Sequence, residues 1–147
     1  MLAVVQRVSR ANVRIKENIV GEIDGGLVIL LGIEKGDDEK DATSLAHKIS
    51  KLRMFNDDND KMNLSILDVN GAALVISQFT LCADTKKGRR PSFLNAESPD
   101  LSNNLYELFK TLLIKNGLQV QSGEFGAMMD VQLVNNGPVT FILNSNT

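Results

Sequence analysis

The sequence predicts an α/β fold in one domain over residues 1–147, with strands outnumbering helices and a mixed sheet or barrel-like core. Three observations carry this. Short apolar or alternating runs recur from Leu2 to Leu143, whereas only two segments show helical spacing. A chain of 147 residues is long enough to bury a sizeable core. No repeat, linker or low-complexity stretch divides it.

Leu2–Val8 and Ala11–Lys16 read as strands, and Ile19–Ile23 continues the pattern after a turn at Glu17-Asn18. Asp24-Gly25-Gly26 reads as a hairpin signal, because glycine supplies positive φ without steric cost. Leu27–Ile33 is a nearly unbroken apolar strand, expected to be buried on both faces. Asp37 or Asp38 then caps a helix whose Glu39 and Asp41 suit the positive end of its dipole. Ala42, Leu45, Ala46, Ile49 and Leu52 form its apolar face. A loop over Asn56–Asn63 follows, and Ala72–Thr80 is a strand entered from a turn at Asn70-Gly71. Lys86–Arg90 is a basic loop. The second helix opens with Ser98 as N-cap, Pro99 in the first position and Asp100 in the first turn. Leu101, Leu105, Leu108 and Leu112 are its predicted buried stripe, and Gly117 stops it. Leu118–Gln121, Met128–Val134 and Val139–Leu143 complete the strands.

Composition excludes several function classes. Apolar residues make up 43% and charged residues 23%, as in an ordinary soluble domain. No apolar run approaches the roughly 20 residues that span a bilayer. Met1–Arg14 alternates and carries three arginines, unlike a signal peptide, so a cytoplasmic location is expected. Net charge is −2, so contact with nucleic acid must rest on a local patch. His47 is the single histidine and lies on the solvent side of the first helix, while Cys82 is the single cysteine. A Ser-His-Asp or Cys-His arrangement and a thiolate metal site are therefore disfavoured, and no metal or cofactor is expected. The acidic run Asp57-Asp58-Asn59-Asp60 lacks the glycine and glutamate of an EF-hand. Lys86-Lys87-Gly88 has the wrong order for a phosphate-binding loop.

An enzyme with these residues has to work by positioning and fixed dipoles on an already reactive substrate. Ser77-Gln78-Phe79-Thr80-Leu81 offers backbone N–H groups and small polar side chains where a strand runs out. Thr80 has no evident base and is read as a positioning group, not a nucleophile. Phe79 is either core or pocket wall, with core preferred. Gly137-Pro138 is either an ordinary trans turn or a cis bond that turns the Gly137 carbonyl into a pocket. Lys86, Lys87, Arg89 and Arg90, with Asp84, carry a local charge of +3 and are either a solvated loop or a phosphate contact. Phe125-Gly126-Ala127-Met128-Met129 is either core or an apolar slot for an adenine ring.

Two of these stretches, Ser77–Leu81 and Asn135-Asn136-Gly137-Pro138-Val139-Thr140, resemble the SQFTL and NxGPVT motifs of the D-aminoacyl-tRNA deacylases. Gln6-Arg7-Val8, Lys61–Leu64, Ala83–Thr85, Arg90–Phe93 and Ser98–Asp100 resemble the same family in the same order, and Met128 departs from the acidic residue often found there. The resemblance implies mixed and antiparallel sheets forming a barrel-like core with two main helices. It implies hydrolysis of the ester of D-aminoacyl-tRNA, and of glycyl-tRNA mischarged on tRNA(Ala), without a cofactor. It also implies a homodimer with each active site at the subunit interface and aminoacylated tRNA as partner. Residue by residue, Ser77, Gln78, Phe79 and Thr80 would face the ester, and the Gly137 carbonyl, beside a cis Pro138, would hold the α-amino group. Arg7 would orient the Gly-Pro loop, Phe125 and Met129 would receive the terminal adenosine, and Lys86, Lys87, Arg89 and Arg90 would meet tRNA phosphates.

A filter made of main-chain atoms would reject an L side chain by collision and leave a D side chain free, whatever its chemistry. Two other readings compete. A non-catalytic nucleic-acid-binding module would need a broad basic face, against which the net charge argues. A general esterase would need a base that His47, in its place, does not supply.

Overall fold

The computed structural model describes residues 1–147. Strand β1 (Leu2–Ile15) turns into β2 (Asn18–Ile23), and β3 (Gly26–Gly32) leads to helix α1 (Glu39–Lys51). A small hairpin of β4 (Phe55–Asn56) and β5 (Met62–Leu64) precedes β6 (Ala72–Ser77) and a 3-10 turn at Phe79–Cys82. Helix α2 (Pro99–Lys115), β7 (Gln119–Ser122) and β8 (Asp130–Asn144) close the chain. The main sheet runs β2-β1-β3-β6-β7, with β8 antiparallel to β1. The β3–β6 and β6–β7 pairs are parallel and the rest antiparallel, so the sheet is mixed as expected.

The sheet curls on itself. A Cβ on Gly21 of β2 would stand 2.8 Å from the Ser122 carbonyl at the end of β7, so the two ends of the strand order meet backbone to backbone. Inside the curl sit Val8, Ala11, Val13, Ile23, Val28, Leu74 and Ile76. On the other side of β3 and β6, Leu27, Ile29, Leu31, Ala73 and Val75 pack with α1 and α2 around Leu45, Ile49, Tyr106 and Phe109. β3 is therefore buried on both faces, as its unbroken apolar run implies.

Helix α1 begins at Asp38, not Asp37. The Asp38 carboxylate accepts from the N–H groups of Lys40 and Asp41, and Asp41 accepts from the Asp38 N–H in return. Asp37 accepts from the Met1 ammonium at 2.7 Å and from the Glu34 N–H.

Several boundaries differ from the sequence reading. β1 is continuous, and the turn after it is centred on Lys16-Glu17, both at positive φ, with Ile15 opposite Asn18. Asp24-Gly25-Gly26 is not a hairpin. β2 pairs with residues 11–15 of β1 and β3 with residues 2–8, so the chain continues along one edge of β1. Gly26 is there because a Cβ would stand 1.8 Å from the Ala72 carbonyl. The loop predicted over Asn56–Asn63 holds the β4–β5 hairpin. β6 stops at Ser77, where the Gln78 N–H makes a last bond to the Leu31 carbonyl at 2.8 Å.

The stripe of α2 is displaced from the predicted one. Ser102, Leu105, Tyr106, Phe109 and Leu113 are buried, and Leu101 is 54% exposed. The two stripes have the same period, and the space beside β6 takes the aromatic pair. Ser98 makes no side-chain cap, and its N–H donates to the Glu97 carboxylate. β8 is one strand, not two, and the Gly-Pro dipeptide lies within it.

Candidate active site

The Ser77–Leu81 stretch straddles the end of β6 and the 3-10 turn. The turn lies close against β3. A Cβ on Gly32 would stand 3.0 Å from Leu81 Cβ and 3.2 Å from the Gln78 carbonyl, so glycine there lets the turn seat itself. The first N–H groups of such a turn have no partner within it, and here they are those of Phe79 and Thr80. The Gln78 side-chain amide donates to the Thr80 hydroxyl, which links the two polar side chains.

Ser77, Gln78 and Phe79 form one wall of a cleft of about 630 Å3. Phe125 and Met129 also line it, as do Glu97, Pro99 and Ser102 around the start of α2. Phe79 is 56% exposed and packs edge-on against Phe93 at 5.1 Å, so it is a wall of the cleft and not core. Phe125 packs 5.9 Å from the Tyr106 ring. Tyr106 donates to the Val75 carbonyl at 2.9 Å, and burial pushes its hydroxyl pKa up to about 12, so it acts as a fixed post below the cleft. The bond from the Ser98 N–H holds the Glu97 carboxyl below the usual range, which leaves an anion at the rim. Met128 is 92% exposed at the mouth.

Gly137 and Pro138 lie away from that cleft. Gln6 of β1 stands opposite Thr140 and Val8 opposite Asn135, so the four residues Asn136–Val139 bulge out against Arg7 alone. The Gly137-Pro138 peptide is cis and both residues are exposed. Gly137 has φ +124, and a Cβ there would stand 2.9 Å from Val139 and 3.0 Å from Arg7 Nη2. Arg7 is 7% exposed and donates from Nε to the Asn136 carbonyl at 3.1 Å. It thus holds the peptide that enters the bulge.

Lys86, Lys87, Arg89 and Arg90 are exposed, make no ion pair, and sit on a loop pinched by the Asp84–Ser92 bridge, with Gly88 at φ +72. His47 is exposed on α1, as its position in the helix implies. Cys82 is buried against the Ile33 carbonyl, and burial raises its thiol to about 11, so it is not an activated nucleophile.

One protomer therefore brings together Ser77, Gln78, Phe79, Phe125 and Met129, with Thr80 tied to Gln78. It brings Arg7 to Gly137-Pro138 at a second place, and keeps the four basic residues on a third. Glu97 and Ser102 of the cleft escaped the sequence reading. Their only signal is that they flank the helix start marked by Ser98-Pro99-Asp100.

The family model described as D-Tyr-tRNA(Tyr) deacylase matches residues 4–144. Proteins named D-aminoacyl-tRNA deacylase include one from Bacillus thuringiensis (strain Al Hakam), 53% identical over 145 residues and 99% of each chain. Another, from Pseudoalteromonas translucida (strain TAC 125), is 54% identical over 143 residues, covering 97% of this chain and 99% of its own. Among solved structures, the c-Myc DNA Unwinding Element Binding Protein superposes with a TM-score of 0.92 at 37% identity over 98% of each chain. A chain described as a probable eukaryotic D-amino acid tRNA deacylase shares the fold, with a TM-score of 0.84 at 13% identity over 97% of this chain and 98% of its own. With its two motifs in place and nearly its whole length matched, this chain belongs to the D-Tyr-tRNA(Tyr) deacylase family.

Proposed function

We propose that this protein is a D-aminoacyl-tRNA deacylase that cleaves the ester between a D-amino acid and the terminal ribose of its tRNA, as a chiral check in translation. The observation that carries this reading is the cleft walled by Ser77, Gln78 and Phe79, with Thr80 bonded to Gln78 and neither the single histidine nor the single cysteine in its lining. Such a site suits an activated ester. The carbonyl oxygen of the substrate meets the N–H groups of Phe79 and Thr80, and they hold the charge that develops as water adds. The tetrahedral adduct collapses, the bond to the ribose oxygen breaks, and that oxygen takes up a proton. Water or the neighbouring ribose hydroxyl moves the proton, since no imidazole lines the cleft and the Glu97 carboxyl, held below its usual range, is a weak base. The terminal adenosine lies between Phe125 and Met129, and Lys86, Lys87, Arg89 and Arg90 meet the phosphates behind it.

Stereochemistry is assigned to the Gly137-Pro138 bulge of a second protomer. Its Gly137 carbonyl holds the α-amino group, so a D side chain points to solvent and an L side chain meets backbone. Glycine has no side chain to reject, so glycyl-tRNA mischarged on tRNA(Ala) is also cleaved. A symmetric homodimer is supported by the separation of the bulge from the cleft within one protomer. It is also supported by β8, which pairs only with β1 and exposes Val134 (39%) and Ile142 (79%). No helix is long and apolar enough to cross a membrane, and a cytoplasmic location fits an enzyme that acts on charged tRNA.

The test is deacylation of matched D- and L-aminoacyl-tRNA, with the mass of the active species measured by sedimentation. Rapid loss of the D-ester with the L-ester intact, by a dimer, is expected. Equal rates on both, or full activity as a monomer, would sink the filter. Tight binding without hydrolysis would favour a nucleic-acid-binding module, the role that the name of one structural relative carries.

A further inference from the structure

Arg7 is a nearly buried cation without a carboxylate partner: it is 7% exposed, and neither ion pair of the chain includes it. Three neutral oxygens hold it instead. Nε donates to the Asn136 carbonyl at 3.1 Å, and Nη1 donates to the Met54 carbonyl at 2.8 Å and to Asn56 Oδ1 at 3.1 Å. The first is the peptide that leads into Gly137-Pro138. The other two come from the start of the β4–β5 hairpin, which neither motif includes.

That hairpin is built to present Asn56. Phe55 packs against the main core, and the ladder is irregular between Phe55 and Asn56, where the exposed Asn56 side chain reaches the guanidinium. The acidic run beyond it serves as a turn lock. Asp57 accepts from the N–H groups of Asn59 at 2.9 Å and Lys61 at 3.0 Å, and its own N–H reaches the Lys61 carbonyl at 2.8 Å. These bonds, the Lys61 N–H first, pull the Asp57 carboxyl below its ordinary range.

We propose that Asn56 is a positioning residue for deacylation: by accepting from Arg7 Nη1 it fixes the rotation of the guanidinium, and through it the place of the Asn136–Gly137 backbone. This rests on the deacylase reading above. The geometry requires a second acceptor. Without Asn56 the guanidinium keeps the Met54 carbonyl and the Asn136 carbonyl, and the second belongs to the bulge that it has to place, which leaves Met54 as its one fixed anchor. With Asn56 added, the plane is set, Nε meets the Asn136 carbonyl, and Nη2 lies behind Gly137. An asparagine that only shaped its hairpin would alter stability and leave stereochemical preference untouched.

The test compares wild type, Asn56→Ala and Asn56→Asp on matched D- and L-aminoacyl-tRNA. In Asn56→Ala, kcat on the D-ester should fall about tenfold, the scale of one lost hydrogen bond to a charged group, with KM little changed. The D-over-L ratio should fall with it. Asn56→Asp keeps an oxygen on the same N–H and should restore both. Unchanged kcat and ratio in Asn56→Ala overturn the proposal, and so does an Asn56→Asp variant as impaired as the alanine one. Should the alanine variant not fold, the NMR signals of Arg7 in the wild type decide. Acceptors fixed on Nε and Nη1 slow rotation about the Nε–Cζ bond, giving distinct Nη1 and Nη2 resonances, and a single averaged resonance overturns the proposal. A wild type inert toward D-aminoacyl-tRNA overturns the deacylase reading itself, whereas an active and selective wild type beside an unaltered Asn56→Ala overturns only the role of Asn56.

Discussion

Thr80 and Gly137 bound what single residues do here. Thr80 is exposed and accepts from Gln78, and its hydroxyl donates to no imidazole or carboxylate. Thr80→Ala should therefore retain activity, reduced by roughly five-fold to a few hundred-fold, the range for one hydrogen bond lost with or without a stranded partner. Single-turnover deacylation measures this, and a trapped acyl-threonine would show covalent catalysis instead. Gly137 is different, because its φ of +124 and its neighbours at 2.9 and 3.0 Å leave no room for a Cβ. Gly137→Ala should displace either Val139 or the Arg7 side chain and lower D-ester turnover by more than tenfold, since misplacement by about 1 Å can cost 100-fold. A variant with wild-type turnover would show that the bulge does not touch the substrate. The types of these residues were legible in the sequence. The partner of Arg7 was not, because Asn56 is 49 positions away and carries no motif.

Elements were legible where local chemistry alone decides them. Helix α1 begins at one of two adjacent aspartates, and both its cap and its apolar face follow from the spacing. The stripe of α2 did not follow, because 101/105/108/112 and 102/105/106/109/113 have the same period, and only the shape of the opposing sheet selects between them. Phe109 is 0% exposed in the selected stripe. Phe109→Ala should cost about 3–5 kcal/mol, read from the urea midpoint, whereas Leu101→Ala, at an exposed position, should cost little. A reversal of that order would restore the stripe read from the sequence. The basic loop is an element of another kind, with four exposed cations and no ion pair. Arg89→Ala with Arg90→Ala should weaken tRNA binding and flatten its salt dependence without altering the D-over-L ratio, because phosphates carry no information about the amino acid. Deacylation across a salt series checks this, and hydrolysis of the L-ester by the double variant would place the loop in the chiral pocket.

At the scale of the whole molecule, burial couples stability to pH on the alkaline side. Cys82 is raised from 9.0 to about 11 and Tyr106 from 10.0 to about 12, chiefly by desolvation. A raised acid favours its neutral form in the folded state, so each contribution is complete below the unfolded value and is lost as pH rises through the folded one. The denaturation midpoint should hold up to about pH 9 and then decline, and the decline should be shallower in Cys82→Ala and Tyr106→Phe. An unchanged decline in both variants would place its origin elsewhere. The sequence by itself determined the fold class, both helices, the double burial of β3 and the two motifs, because these rest on periodicity, capping and local dipeptide chemistry. Only the tertiary structure decided that β2 and β3 share one edge of β1, that Phe79 leaves the core to wall a cleft, and that the Gly-Pro bulge stands apart from that cleft and against Arg7. The physical reason is that an apolar residue or a glycine records what its position tolerates and does not name its neighbour. Gly26 looks like a turn glycine in the sequence and proves to be the place where a parallel strand comes within 1.8 Å of a would-be Cβ.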